Sequence, residues 1–414
     1  MKIAIIGSGI AGNTLAYHLH QTHDITVFEA ESHIGGHTHT HQITHEGKDY
    51  TVDTGFIVFN NRTYPNFIQL LDELKVEWQP SEMSFSVRCE DSQLEYNGTS
   101  LNSLFAQRRN FFKPAFHRMI RDILRFNKTS LELLPEGNEI KLGDYLHIGQ
   151  YSQQFVDHYI IPMGSAIWST DAKQMLDFPA RFFVRFFHNH GMLTVNNRPQ
   201  WRTITGGSAS YVAALTENFK HKIRLNTPIE SVRRLKNAVH LKPKFSEEQQ
   251  FDYVFFACHS DQALRLLSDA SPAEREILGA IPYQENTVYL HHDISLLPKR
   301  KLAWAAWNYH VTTPPADRVA VTYNMNILQN LKSKEPLLVT LNHTRLINPA
   351  KVYKRIHYTH PVYTLAGANA QARHAEISGH NRTAYAGAYW RNGFHEDGVV
   401  SALAALQHFE SGRP

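Results

Sequence analysis

MKIAIIGSGIAGNTLAYHLHQTHDITVFEAESHIGG, residues 1–36, is the stretch that decides the fold. Lys2 to Ile6 is a short apolar run, ended by glycine too soon to cross a membrane or act as a signal peptide, and reads as a buried parallel strand. The turn Gly7-Ser8-Gly9-Ile10-Ala11-Gly12 has GxGxxG spacing, and Asn13 to His20 predicts an amphipathic helix with Ala16 close to the sheet. Gly7 permits the tight turn, Gly9 lets a pyrophosphate approach the backbone, and Gly12 brings helix and strand together, so that free N–H groups face the phosphates. A second strand, Ile25 to Phe28, ends in Glu29, seventeen residues after Gly12. A carboxylate there accepts both ribose hydroxyls and favours a 2′-hydroxyl over a 2′-phosphate. The glycines alone would be weak evidence, because such turns also arise for geometric reasons. The ordered series of strand, turn, helix, strand and acid specifies a dinucleotide site.

The 414 residues, 42% apolar and 11% aromatic, suffice for two domains. A formal charge of +4, with no basic tail or nucleic-acid motif, excludes nucleic acid as an expected partner. Cys89 and Cys258 lie far apart without CxxC, which points away from a disulfide framework and toward a reducing cytoplasm. No run approaches the length of a membrane helix, so any membrane contact is expected to be peripheral, at the inner face. His37, His39 and His41 alternate, and a strand would put all three on one face. No carboxylate or cysteine accompanies them at ligand spacing, and no metal is expected.

After Glu29 and Ala30 come Gly35-Gly36-His37-Thr38 and Val52-Asp53-Thr54-Gly55-Phe56, and near the end AYAGAYWRNGFHEDGVVSALAAL, residues 384–406. These resemble the flavin-containing amine oxidase superfamily, which includes protoporphyrinogen oxidases and phytoene desaturases. The resemblance implies FAD: Glu29 and Ala30 at the adenosine ribose, Gly35, Gly36, His37 and Thr38 along the pyrophosphate and ribitol, Gly55 and Phe56 near the flavin. Val232, in NTPIESV (226–232), would meet adenine, and Gly387 the ribitol. His395, Glu396 and Asp397 would start a helix whose N–H groups stabilise negative charge on the reduced flavin. The terminal motif lacks cysteine, so FAD is expected to be non-covalent, His395 being the one residue there able to carry a histidyl link. The strings PMGSAIWS (162–169), DFPARFFVRFFHNHG (177–191), RPQWRTITGGSASYV (198–212), AWAAWNY (303–309) and HPVYT (360–364) are similar to a bacterial subfamily of FAD-dependent oxidoreductases associated with cyclopropane fatty-acid synthases. That association implies lipid chemistry and a methyltransferase of that kind as a partner.

The expected architecture is α/β: a Rossmann-like FAD-binding domain of residues 1–75, 200–262 and 365–414, with an inserted α+β substrate or cap domain of 76–199 and 263–364. Residues 101–134 read helical with a boundary at Pro114, 262–279 reads as another helix, and 286–292 and 318–325 as strands. Phe105 to Lys128 holds seven lysines or arginines against one acid, among many aromatic and aliphatic residues. It reads as a cap helix with a solvated charged face, or as a segment lying in an anionic lipid interface. Phe182, Phe183, Phe186 and Phe187 read as core, or as the lining of a channel for an apolar chain.

His190, His360 and His395 are the candidate acid or base groups, because imidazole titrates near neutrality and each lies in a motif of the resemblance. Many relatives place a lysine beside the flavin, and Glu285 to Leu290, which aligns loosely with that pattern, has none. Three activities remain open: hydride transfer between a carbon of an apolar (fatty-acyl or modified lipid) substrate and flavin N5, amine oxidation, and a non-catalytic flavoprotein supporting a lipid methyltransferase.

Overall fold

The computed structural model describes residues 1–135, 140–194, 196, 198–314 and 318–412. Its first sheet is wholly parallel and five-stranded, in the order Ile223–Arg224, β2 (Asp24–Phe28), β1 (Lys2–Ile6), Tyr253–Phe256, Thr383–Tyr385. The three central strands are buried and mainly apolar beyond their first residues because both faces are covered. Ile3 and Ile5 of β1 meet Leu15 of α1 (Ile10–Leu19) and Ala402 and Phe409 of the terminal helix, His395–Ser411. Ala4 and Ile6, pointing the other way, pack with Ile277 and Leu278 and with Leu241 of a small antiparallel sheet. That sheet, Ile229–Arg234, Val239–Pro243 and Gln249–Phe251, lies between the NTPIESV motif and the strand that returns to the centre.

A second sheet has seven strands, in the order Val352–Pro361, Tyr283–His291, Leu338–Leu341, Val321–Asn324, Trp307–Val311, Phe85–Cys89, Glu95–Asn97. It is antiparallel except where Trp307–Val311 runs parallel to Phe85–Cys89. The strands expected at 286–292 and 318–325 are the second and fourth of these. Helices from Pro114 to Asn189 pack beside it around Phe126, Phe155, Phe178, Phe183 and Phe187, all at most 1% exposed.

Three local expectations change. The helix expected from Asn13 starts at Ile10, because the GxGxxG turn itself ends at Gly9. The helix expected over 262–279 is two, Ser260–Leu266 and Pro272–Gly279, because Pro272 fits only the first turn and Ser271 caps the second helix by accepting from Glu274 N–H at 3.2 Å. The strand following the paired glycines begins at Thr40, and His37 does not share a face with its neighbours. The rings of His39 and His41 lie 4.1 Å apart, whereas that of His37 turns to His360, 5.3 Å away. Among the described residues, no group of three or more His, Cys, Asp or Glu is placed to hold a metal ion. No helix among them is long and apolar enough to cross a membrane.

Candidate functional site

The end of β1 forms a cradle that the protein itself does not fill. Gly7 has φ +107°, and a Cβ there would lie 2.7 Å from the Ala257 carbonyl oxygen. A Cβ on Gly12 would lie 2.0 Å from the Gly7 oxygen, so this position closes helix onto strand. A Cβ on Gly9 would meet nothing within 4 Å. The first turn of α1 carries no acid and no side-chain cap, so its amides and its positive end stay available to an anion. Gly35 N–H donates to the Ser8 carbonyl at 3.0 Å and Gly36 passes against Gly9, which lays this loop across the helix start. Glu29 Oε2 accepts from Ser8 N–H (2.8 Å) and Ser8 Oγ–H (2.6 Å), and Oε1 accepts from Glu31 N–H (3.0 Å). An ionised carboxylate has about four acceptor sites, so Glu29 retains capacity for a ribose diol. The buried Asn13 Oδ1 at the same end is unpartnered. These residues fit a dinucleotide. Ala30 is exposed at the rim, while Val232 is buried with its carbonyl taken by Ser268 N–H at 3.0 Å.

Beyond the cradle, three distant segments are clamped by one imidazole. His395 Nε2 lies 2.9 Å from both Thr38 Oγ1 and Tyr211 OH, those hydroxyls are 2.6 Å apart, and the His395 ring stacks on Phe56 at 3.5 Å. Burial, with His37 adding to it, holds His395 well below the usual imidazole range. The turn at Gly55 runs tight against His37: Phe56 N–H donates to the His37 carbonyl at 2.9 Å, and a Cβ on Gly55 would lie 2.0 Å from that oxygen. Asp53 accepts from Thr40 Oγ1–H, Ser208 N–H and Oγ–H and Gln329 Nε2–H, and burial pushes its carboxyl up to about 6.

The terminal helix starts at His395, and its two acids accept hydrogen bonds from backbone amides of the protein. Glu396 accepts from Asn66 N–H and Phe67 N–H and so caps the helix Pro65–Glu73. Asp397 accepts from Phe394 N–H (3.0 Å) and Asn392 N–H (3.2 Å), and burial pushes it up to about 6. The backbone amides of the first turn remain without intrahelical acceptors. Gly387 N–H donates to Ser401 Oγ at 2.8 Å, which ties the preceding loop to the helix.

The three candidate imidazoles do not converge on one point. His360 lies on the second sheet, where its Nδ1 accepts from Asn286 Nδ2–H at 3.1 Å, and burial holds it down at about 3. His190 donates Nδ1–H to the Phe186 carbonyl at 2.9 Å and stacks on the Phe186 ring, and burial holds it at about 4. His395 reads as a clamp. We expect His395→Ala to lower stability by about 2–3 kcal/mol, from the lost packing and hydrogen bonds, and to leave the pH profile of flavin reduction unchanged in shape. Loss of an ionisation near neutrality from that profile would instead make His395 an acid or base.

Next to the terminal helix stands a wall of aromatic rings that belongs to the buried main core, so Phe182, Phe183, Phe186 and Phe187 are core residues. Phe186 lies 5.0 Å from Phe394, Phe182 stacks on Tyr363 at 5.0 Å, and Trp168 lies 4.8 Å from Phe186. Tyr363 OH comes up against Gly393, and this buried hydroxyl and Trp168 Nε1 have no protein partner. Tyr211 and Tyr363 are not among the candidate site residues that the sequence offers. The adjacent Gly206-Gly207, both at positive φ, was the available signal for Tyr211, and Tyr363 lies in the HPVYT string, whose resemblance marked the segment without singling out the tyrosine.

Residues 10–290 match the family of flavin containing amine oxidoreductases. No curated protein matches the chain. The fold is shared with a protein described as a protoporphyrinogen oxidase from Exiguobacterium sp. 255-15, at 17% identity, TM-score 0.71, over 100% of this chain and 99% of that one. Cyclohexylamine oxidase from Brevibacterium oxydans IH-35A is similar at 14% identity and TM-score 0.70, over 99% of both chains. A CLA-producing fatty acid isomerase from P. acnes is similar at 16% identity and TM-score 0.67, over 98% of both.

Proposed function

Because this chain belongs to the flavin containing amine oxidoreductases, and is thereby an FAD-dependent oxidoreductase, we propose that it takes hydride from a carbon of an apolar, fatty-acyl substrate. The observation that carries the substrate class is the wall of Phe182, Phe186, Phe394, Tyr363 and Trp168 beside the start of the terminal helix. Bound FAD supplies the hydride acceptor, its N5. In this reading Ser8 and Glu29 hold the adenosine ribose, Gly9, Gly36 and the α1 amides the pyrophosphate, and Thr38, Gly55 and Phe56 the ring system. The first-turn amides of the terminal helix favour negative charge on the ring. The wall excludes water and aligns a chain that has no charge to grip. His190, against that wall with Nε2 free to accept, is assigned the proton that leaves with the hydride.

The division into a nucleotide domain of 1–75, 200–262 and 365–414 and a cap of 76–199 and 263–364 is proposed with it. So are the peripheral membrane contact that would deliver such a chain and a cyclopropane fatty-acid synthase-like partner. That the same fold carries a fatty acid isomerase supports the acyl reading, and the strand Tyr283–His291, which has no lysine, weighs against amine oxidation. Anaerobic titration tests the choice. Phospholipids or fatty acids with unsaturated or cyclopropane chains should bleach the flavin and simple amines should not; bleaching by amines alone would overturn the proposal.

A further inference from the structure

We propose that the cap face built from Leu101–Leu104, Arg108–Phe112 and Pro114–Thr129 docks on an anionic phospholipid bilayer. This deepens the acyl-substrate reading by naming the surface from which such a chain would come. The helix Pro114–Thr129 buries Phe116, Met119 and Phe126 on one side, while Arg118, Arg121, Leu124 and Lys128 on the other are exposed. At its ends the apolar side chains are bared: Phe112 is 88% exposed, Leu101 77% and Ile148 71%. Direct contacts tie the segments that carry these tips together. Phe111 stacks on Phe105 at 3.8 Å, Arg108 donates to the carbonyls of Asn102 and Phe105, and Arg125 donates to the Gly149 carbonyl at 2.9 Å, which draws the Ile148 turn alongside.

Charge selects the occupant. Among the described residues, Arg108, Arg109, Lys113, Arg118, Arg121 and Lys128 form no ion pair. The one acid of Phe105 to Lys128, Asp122, is buried and paired with Arg125 at 3.1 Å. The neighbouring cavity is mixed in charge, since Arg109, Lys299 and Arg300 line it with Glu90 and Glu95 and Glu95 pairs with Arg300 at 3.5 Å, so the unpaired cations are those of the helix face itself. A second copy meeting this face about a two-fold axis would set cation against cation. Bare aromatic and aliphatic tips ringed by unpaired cations match an interface of phosphate headgroups over acyl chains.

Flotation of the FAD-loaded full chain with phosphatidylcholine vesicles, with and without phosphatidylglycerol, tests this. The chain should float with phosphatidylglycerol vesicles at low salt, leave them at high salt, and ignore pure phosphatidylcholine. Phe112→Ser should weaken binding by about tenfold and Arg118→Glu with Arg121→Glu by about 100-fold. Both variants should keep full flavin content and the parent's melting curve. Arg125 is left intact because it ties the helix Pro114–Thr129 to the segment ending at Gly149. The proposal is overturned if the parent fails to float, if these variants float as it does, or if Phe112→Ser dissolves a salt-stable dimer that never binds vesicles. Lipids that fail to bleach the flavin while flotation persists count against the acyl reading alone.

Discussion

Gly9→Val should yield a folded, colourless protein. A Cβ at this position meets no protein atom within 4 Å, and φ at Gly9 is −69°, open to any L residue, so the flavin-free chain should accept the substitution. The space it enters is the cradle between the α1 amides and the Gly35-Gly36 loop, where a pyrophosphate would need to touch backbone. We expect FAD affinity to fall by about 1,000-fold or more, on the order of 4 kcal/mol. The melting temperature should drop to that of the deflavinated parent and no further, because what is lost is linkage to the ligand. Gly12→Val is the contrasting variant. Its Cβ would sit 2.0 Å from the Gly7 oxygen, which only backbone movement can relieve, so that protein should be destabilised even without flavin. Flavin released on denaturation, together with circular-dichroism melting of both variants, checks the pair; a yellow Gly9→Val protein would move the nucleotide site elsewhere.

What could be read in advance was whatever the chain writes locally. The glycine spacing from Gly7 to Gly12 and the acid at Glu29 each answer a demand made within thirty residues, and the parallel sheet follows from them. The start of the terminal helix was legible for the same reason, since a glycine-rich loop gives way to helical spacing at His395. Partners across the chain were not. His395 carries no mark of Thr38 and Tyr211, which are 357 and 184 residues away, and Glu396 reads as a first-turn acid until Asn66 and Phe67 are seen to use it. The three-stranded sheet between Ile229 and Phe251 was passed over because its strands are short, half exposed and rich in charge. The break at Pro272 was written in the sequence, where Ser271, Pro272 and Glu274 form a capping box, but the apolar periodicity on either side obscured it.

Acid should unfold this protein well before its carboxylates are neutralised. His190, His291 and His395 are at most 9% exposed, and His37, His259 and His360 form a second, partly covered group. Burial holds five of them at about 3 to 4 and His395 well below its usual value. In the unfolded chain each titrates near 6.5, so between pH 6.5 and 4 the unfolded state binds protons that the folded state refuses. Stability from these groups is complete above pH 6.5 and is lost as pH falls. Asp53 and Asp397, raised to about 6, act in the opposite sense, since the folded state takes up their protons first below that pH. Imidazoles outnumber these two carboxyls, and His39, His41, His310 and His374 are held at about 4 as well, so unfolding takes up protons and stability falls as pH drops from 6 to 4, each unbalanced proton adding about 1.4 kcal/mol per pH unit to the slope. Urea midpoints of the flavin-free protein at pH 7.5, 6.5, 6 and 5 should follow that slope; a flat profile would mean these imidazoles reach water in the folded state. One residue isolates the effect from the cofactor. His291 accepts from Asp293 N–H through Nδ1 (3.0 Å) and therefore donates through Nε2 to Thr340 Oγ1 (2.7 Å), so protonation must break the first bond. His291→Gln removes a titrating group outside every nucleotide motif and should flatten the slope by about 1.4 kcal/mol per pH unit, one proton's share.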